Sequence, residues 1–189
     1  MEENMASIGR HLKRLRGERG WSLDRTAKAT GVSKAMLGQI ERGESMPTVA
    51  TLWRIASGIQ APLSHFLSPI VGETRSAPAA WHRDVSGMVI QPLFAFDPAL
   101  GFEMYLIELA AAGASESTPH AAGVIEHVVV IAGELELTVD DRRYCLGAGE
   151  AMRFPADQPH GYRNLTSHPV RFHDLIHYPL HTHPAAPAS

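Results

Sequence analysis

The 189-residue chain is 44% hydrophobic and carries a net charge of −3, values normal for a globular protein of one or two domains. No apolar run reaches the roughly 18 residues needed to span a bilayer, and the acidic N-terminus MEENMASIGR lacks the apolar core of a signal peptide. The single cysteine, Cys145, excludes an internal disulfide, suits a reducing cytoplasm, and reads as a small strand hydrophobe rather than a reactive thiol.

The net charge conceals an asymmetry. Residues 1–67 hold ten Lys/Arg against six Asp/Glu, a net of +4, whereas residues 68–189 hold seven Arg against fourteen Asp/Glu, a net of −7. The basic part suits contact with phosphates, and the acidic remainder is expected to stay off DNA. The histidines run the other way: only His11 and His65 precede residue 68, and nine lie beyond it.

In chain order, Ile8 to Arg19 predicts an amphipathic helix, with Ile8, Leu12 and Leu15 inward and Arg10, Lys13, Arg14 and Arg16 outward. Gly20 ends it, and Trp21 packs across the helix ends. Ser22 caps a second helix whose apolar seam is Leu23, Ala27 and Val32. Gly31 sits where a helix-ending residue often takes positive φ. Ser33 caps a third helix, in which Leu37 and Ile40 share a face. The loop Glu44-Ser45-Met46-Pro47 leads to a fourth helix that starts near Thr48, turns Leu52, Ile55 and Ala56 to the core, and stops at Gly58. A fifth, around Pro62 to Leu67, adds Leu63 and Phe66. Two short helices joined by a tight turn, over Ser22–Gly43, make a helix-turn-helix, whose second helix enters the DNA major groove.

These residues resemble a family. Ser-Leu before the second helix, Ala-x-x-x-Gly-Val-Ser at the turn and Ile-Glu-Arg-Gly leaving the third helix are similar to the lambda-repressor-like (XRE-type) domain, over roughly Ile8 to Leu67. Thr26 departs from it, standing where these domains usually carry Leu. The resemblance implies roles by position. Lys34, Ala35 and Gln39 fall at base-reading positions: Gln39 can pair with adenine, Lys34 can reach guanine or a phosphate, and Ala35 can touch a thymine methyl. Ser33 and Arg42 are expected to hold phosphates.

Residues 68–87 lack helical or strand period and read as a linker, with Trp81 able to anchor it on the C-terminal domain. The tail, residues 184–189, is expected to be disordered. Between them, residues 88–183 read as β-structure. Candidate strands are Met88–Phe94, Phe102–Leu109, Val124–Ile131, Glu134–Val139, Arg142–Leu146, Glu150–Phe154, His160–Asn164 and Val170–Tyr178, broken by Gly, Pro and Asp turns. Asp140-Asp141 makes a hairpin turn. Strands at this spacing argue for a jelly roll or small barrel.

Two motifs in this region resemble those of the cupin family. His120, Ala122, Glu126 and Gly133 fall at the spacing of its first motif, with Ala122 where a second histidine belongs and the leading glycine, Gly113, one place off. Gly149, Pro155, Asp157, His160 and Asn164 match the second motif, with Asp157 in place of a glycine. The resemblance implies that His120, Glu126 and His160 converge inside a barrel. There they can hold a divalent metal such as zinc, with water or an effector completing the shell. His127 is the alternate ligand: a regular strand points it away from Glu126's face, and a bulge would exchange the two. The last strand offers His173 and His177 on one face and Asp174 on the other.

The whole reads as an α+β protein of two domains: a five-helix repressor-like helix-turn-helix domain (residues 1–67) and an all-β cupin jelly roll (residues 88–183). The expected function is a one-component, cytoplasmic, homodimeric transcription regulator that binds a double-stranded DNA operator. It senses a small-molecule effector at His120, Glu126 and His160, and it is not an enzyme. The alternatives are a metal-dependent cupin dioxygenase or isomerase fused to a DNA-binding domain, and a cupin that serves only to dimerise. No membrane partner is expected.

Overall fold

A computed structural model of the chain describes residues 2–67, 82–83 and 87–179. Among these residues five helices come first: α1 (Glu2–Glu18), α2 (Leu23–Thr30), α3 (Lys34–Glu41), α4 (Val49–Gly58) and α5 (Ser64–Leu67). Ten strands come next: β1 (His82–Arg83), β2 (Met88–Asp97), β3 (Phe102–Leu109), β4 (Ala114–Ser117), β5 (Ile125–Ala132), β6 (Glu134–Val139), β7 (Arg142–Gly147), β8 (Ala151–Pro155), β9 (His160–Arg163) and β10 (Val170–His177).

Side-chain caps start the helices where the sequence places them. Ser22 accepts from the Arg25 amide at 3.2 Å, Ser33 from Met36 at 3.2 Å and Thr48 from Thr51 at 3.1 Å. Gly31 closes α2 at φ +66°. Thr26 is fully buried, yet its hydroxyl is satisfied by donating to the Ser22 carbonyl at 3.0 Å. Helix α1 starts well before Ile8, since nothing from Glu2 to Ser7 breaks a helix, although no apolar period announces it there.

Two glycines set the helix crossings. A Cβ on Gly9 would lie 2.3 Å from the Ile40 carbonyl oxygen, so the backbone of α1 rests directly on the end of α3. The Arg16 guanidinium fixes the same crossing, donating to both carboxylate oxygens of Glu41 at 2.6 and 3.0 Å. Gly58 lets α4 lie against α2: a Cβ there would sit 2.6 Å from the Ala29 carbonyl oxygen and the Thr30 Cα.

The strands pair antiparallel into two sheets, β1-β2-β3-β10-β5-β8 and β4-β9-β6-β7. Their inner faces enclose Tyr105, Ile107, Val128, Leu135, Leu137, Phe154, Tyr162, Phe172 and Ile176, all buried. The β6–β7 hairpin turns at Asp140 and Asp141, which take φ +46° and +64°, the left-handed pair that a two-residue hairpin turn requires. Strand β4 is not among the strands expected from sequence: Ala-Ser-Glu-Ser carries none of the branched or aromatic residues that mark a strand, but it pairs with β9 throughout. Cys145 lies on strand β7, with its side chain exposed.

Most of the expected linker, residues 68–87, lies outside the described residues, as do Trp81 and the tail at 184–189. Within the linker stretch, His82 and Arg83 form β1, paired with Ile90 and Val89.

The helical domain is docked on the barrel through polar contacts. The buried Glu103 carboxylate of β3 accepts from the Leu63 and Ser64 amides, at the start of α5, at 3.0 and 2.9 Å, and from the Tyr178 hydroxyl at 2.5 Å. Ser64 Oγ accepts from the Phe96 amide at 2.9 Å, and His82 Nε2 lies 3.1 Å from the Pro47 carbonyl oxygen. Trp53 of α4 sets its ring edge-on to Tyr105, with centroids 6.0 Å apart.

Candidate functional site

On the helical domain, Ser33, Lys34, Ala35, Gln39 and Arg42 are all solvent-accessible on one short helix and its flanks, while Leu37 and Ile40 face the core. Lys34 pairs with Asp24 at 2.8 Å and Arg42 with Glu44 at 2.7 Å. Both pairs are open to solvent, where such bridges contribute little and exchange readily for phosphate. Ser33 is already engaged as the α3 cap, so a phosphate there would meet the helix N-terminus as well as the hydroxyl.

Inside the barrel the structure brings His120, Glu126 and His160 together. One ligand atom from each lies within 4.8 Å of the others. Glu126 comes from β5, His160 from the start of β9, and His120 from the segment joining β4 to β5, where its amide donates to the Ala156 carbonyl at 2.9 Å. His120 Nε2 lies 2.7 Å from Glu126 Oε1, and His160 Nε2 lies 3.4 Å from the same oxygen. Tyr162 donates its hydroxyl to Glu126 Oε2. The imidazole rings of His120 and His160 stand 5.2 Å apart.

The His160 tautomer suits metal coordination. His160 Nδ1 donates to the Gln158 carbonyl at 2.8 Å, which leaves Nε2 as the free lone pair; that nitrogen is buried and makes no hydrogen bond. His120 is the opposite tautomer: its Nε2–H donates to Glu126 Oε1 at 2.7 Å and its Nδ1 accepts from Ser57 Oγ at 3.0 Å, so Nε2 would release its proton on taking a metal. Two imidazole nitrogens and a carboxylate oxygen are a donor set for a divalent ion.

The electrostatics separate the acids. Burial alone would raise the Glu126 carboxyl, but the hydrogen bond from His120 and the adjacent His160 imidazole outweigh it and hold Glu126 far below the usual carboxylate range. Burial works against a charged His160, while the adjacent Glu126 carboxylate overcomes it and raises its pKa above the ordinary 6.5. Asp174 goes the other way. Burial, reinforced by the charges of Glu126 and Glu103, pushes its carboxyl well above the ordinary 3.8, and its Oδ1 is buried without a partner. Burial also raises the Tyr162 hydroxyl, with Asp174 and Glu126 adding to it, so the phenol stays a donor to Glu126.

His127 points away from the cluster. Strand β5 is regular there, with Glu126 opposite Phe154 and His127 opposite Arg153, so no bulge exchanges their faces. Ala122 is exposed, and Asn164 is structural: its amide nitrogen donates to the carbonyls of Leu109, Ala110 and His168 at 3.1, 3.0 and 2.7 Å. His173 is half-buried and His177 exposed, both on the face opposite Asp174. Sequence reasoning missed Tyr162 and Ser57. Tyr162 had a signal, since two residues after His160 on a strand is the same face; Ser57 had none. A cavity of about 390 Å³ along the four-stranded sheet reaches His160 and Tyr162 and is also lined by Glu136, Arg143 and Arg163.

A basic helix-turn-helix domain docked on an acidic two-sheet barrel is the build of a DNA-binding transcription regulator with a cupin domain. Family models agree: helix-turn-helix matches residues 12–66, and cupin domain matches residues 105–176. The chain belongs to the XRE-type helix-turn-helix transcriptional regulators that carry a C-terminal cupin domain. It is 55% identical over 178 residues to the HTH-type transcriptional regulator SutR of Escherichia coli K12, covering 94% of this chain and 98% of that one. The crystal structure of an HTH_3 family transcriptional regulator from Vibrio cholerae superposes with a TM-score of 0.82 at 44% identity, over 94% of this chain and 98% of that one. A quercetin 2,3-dioxygenase of Bacillus subtilis is 42% identical over 55 residues, which is 29% of this chain but 15% of the dioxygenase. No helix among the described residues is long and apolar enough to cross a membrane.

Proposed function

We propose that this regulator senses a small-molecule effector at His120, Glu126 and His160, and that a divalent ion such as zinc is held there. The observation that carries this reading is the buried His160 Nε2, which has no hydrogen-bond partner and whose ring is fixed by the Gln158 carbonyl. A bound ion would supply a Lewis-acid anchor for a carboxylate or amine of the effector. The protein would act in the cytoplasm as a homodimer reading a two-fold operator, with half-sites about 34–36 Å apart. DNA contact falls to Ser33, Lys34, Ala35, Gln39 and Arg42.

The role is sensing rather than turnover. Position 122, where the family pattern has another histidine, is an exposed alanine. The dioxygenase and isomerase readings call for turnover, and a purely dimerising barrel calls for no ligand response.

The test is titration of chelator-treated protein with Co²⁺ and Zn²⁺, tracking visible absorption and thermal stabilisation. Wild type is expected to bind either metal, and His160→Ala is expected to lose that binding while keeping its operator affinity. Wild type that takes up neither metal, with no stabilisation, refutes the metal site. Loss of operator binding by a folded His160→Ala places the residue in DNA reading instead. Light scattering that finds a monomer at micromolar concentration, free and DNA-bound, refutes the dimer.

A further inference from the structure

A second cavity, of about 360 Å³, opens between the two domains. One wall is the turn of the helix-turn-helix at Gly31; another is the flank of α4 with Arg54 and Ser57, and Gln60 just beyond its end; the third is the chain entering β5, with Thr118 and His120. Its size is that of a small-ligand site.

The lining is chemically one-sided. It contains no Asp or Glu. Arg54 is half-buried and has neither an ion-pair nor a hydrogen-bond partner among the described residues. The Thr118 hydroxyl and the Gln60 carboxamide likewise have none among those residues. At the floor, Ser57 Oγ meets His120 Nδ1 at 3.0 Å. A free guanidinium, an amide and the Thr118 hydroxyl around a cleft without a carboxylate offer several donors to a negative charge.

We propose that this interdomain cleft binds a small anion, a carboxylate or a tetrahedral oxyanion, with Arg54 as its counter-charge and Thr118 and Gln60 as its hydrogen-bonding partners. The site is separate from the barrel cluster and does not depend on a metal there. The His120 ring is the partition between them, with Nδ1 toward the cleft and Nε2 toward Glu126. An anion in the cleft touches the helix-turn-helix turn and the barrel at once. Its binding therefore favours the docked arrangement of the two domains over any other.

The experiment is calorimetric titration of the full-length, metal-free protein with inorganic phosphate and, separately, with succinate. Wild type is expected to bind at least one at millimolar concentration. A preference for phosphate assigns the site to an oxyanion, and a preference for succinate to a carboxylate. Arg54→Gln is expected to bind about tenfold more weakly or worse, through loss of the charge-assisted bonds. Thr118→Val, a milder change outside the helices, is expected to weaken binding as well. Arg25→Gln, a cation on the DNA-binding domain that does not line the cleft, and His160→Ala are expected to bind like wild type. The proposal is overturned if neither probe binds wild type or if Arg54→Gln binds as tightly. It is equally overturned if Arg25→Gln loses as much affinity, which places the anion on the DNA face, or if His160→Ala loses it, which places the anion in the barrel.

Discussion

Asp174 is a buried acid whose surroundings oppose its ionisation, and replacing it with asparagine is expected to relieve that cost. Its carboxyl is 1% exposed and its Oδ1 has no partner. Burial and the charges of Glu126 and Glu103 hold its pKa well above 3.8. Above pH 3.8 the unfolded chain releases this proton while the folded chain keeps it, so rising pH favours the unfolded state. The loss is about 1.4 kcal/mol for each pH unit, until the folded carboxyl ionises in turn. Asparagine has the same shape and is neutral in both states, so Asp174→Asn escapes the loss. The difference between variant and wild type is expected to widen in the variant's favour by about 1.4 kcal/mol between pH 4.5 and 5.5. Urea unfolding in metal-free buffer at stepped pH measures it, and titrating groups remote from Asp174 cancel in the difference. A variant less stable than wild type, with a deficit that grows with pH, would show that Asp174 is charged and paired in the fold and would refute this reasoning.

Gln39→Ala is expected to cost about 1–3 kcal/mol of operator binding and to relax one operator position, and Arg42→Ala to weaken all sequences alike and flatten the salt dependence; fluorescence anisotropy across salt concentrations checks both. Gly58→Ala, whose new Cβ meets the α2 backbone at 2.6 Å, is expected to lose about 1–3 kcal/mol in thermal unfolding. The Glu126–His160 pair stabilises the metal-free protein above the ordinary 4.5 of Glu126 and below the ordinary 6.5 of His160. That contribution fades in acid as Glu126 protonates, and toward alkaline pH as His160 passes its raised value. Co²⁺ affinity is expected to run oppositely across the His160 titration, falling as pH drops and the proton competes for Nε2; absorbance titrations at stepped pH read it.

The helical domain was legible because its punctuation is local. Ser22, Ser33 and Thr48 each cap from within the next three residues, and Gly31 closes its own helix. The long strands were legible through alternation, whereas β1 has only two residues and β4 only small polar ones. The choice between Glu126 and His127 was soluble from sequence: Val124, Glu126, Val128 and Val130 share one parity, and all four are buried. Parity also put Asp174 on the face of Phe172 and Ile176, which is the inner one. Contacts between the domains left no such trace. Ser57 and His120 are 63 positions apart, and neither residue type nor spacing hints that they meet. Glu103 sits in a strand that alternates normally, so nothing marked it as the residue that grips α5.

That grip has an evolutionary consequence. Glu103 holds the helical domain by the main-chain N–H groups of residues 63 and 64, which every amino acid but proline supplies. The barrel thus recognises a turn of chain, with a buried apolar side chain at 63 and a hydroxyl at 64 that accepts from Phe96. The residues proposed to read bases lie on α3 and its flanks and take no part in the clasp. Operator preference is free to diverge while the seat stays constant. A DNA-reading head from another regulator that ends in the same apolar-serine turn should be transplantable onto this barrel without redesigning the joint.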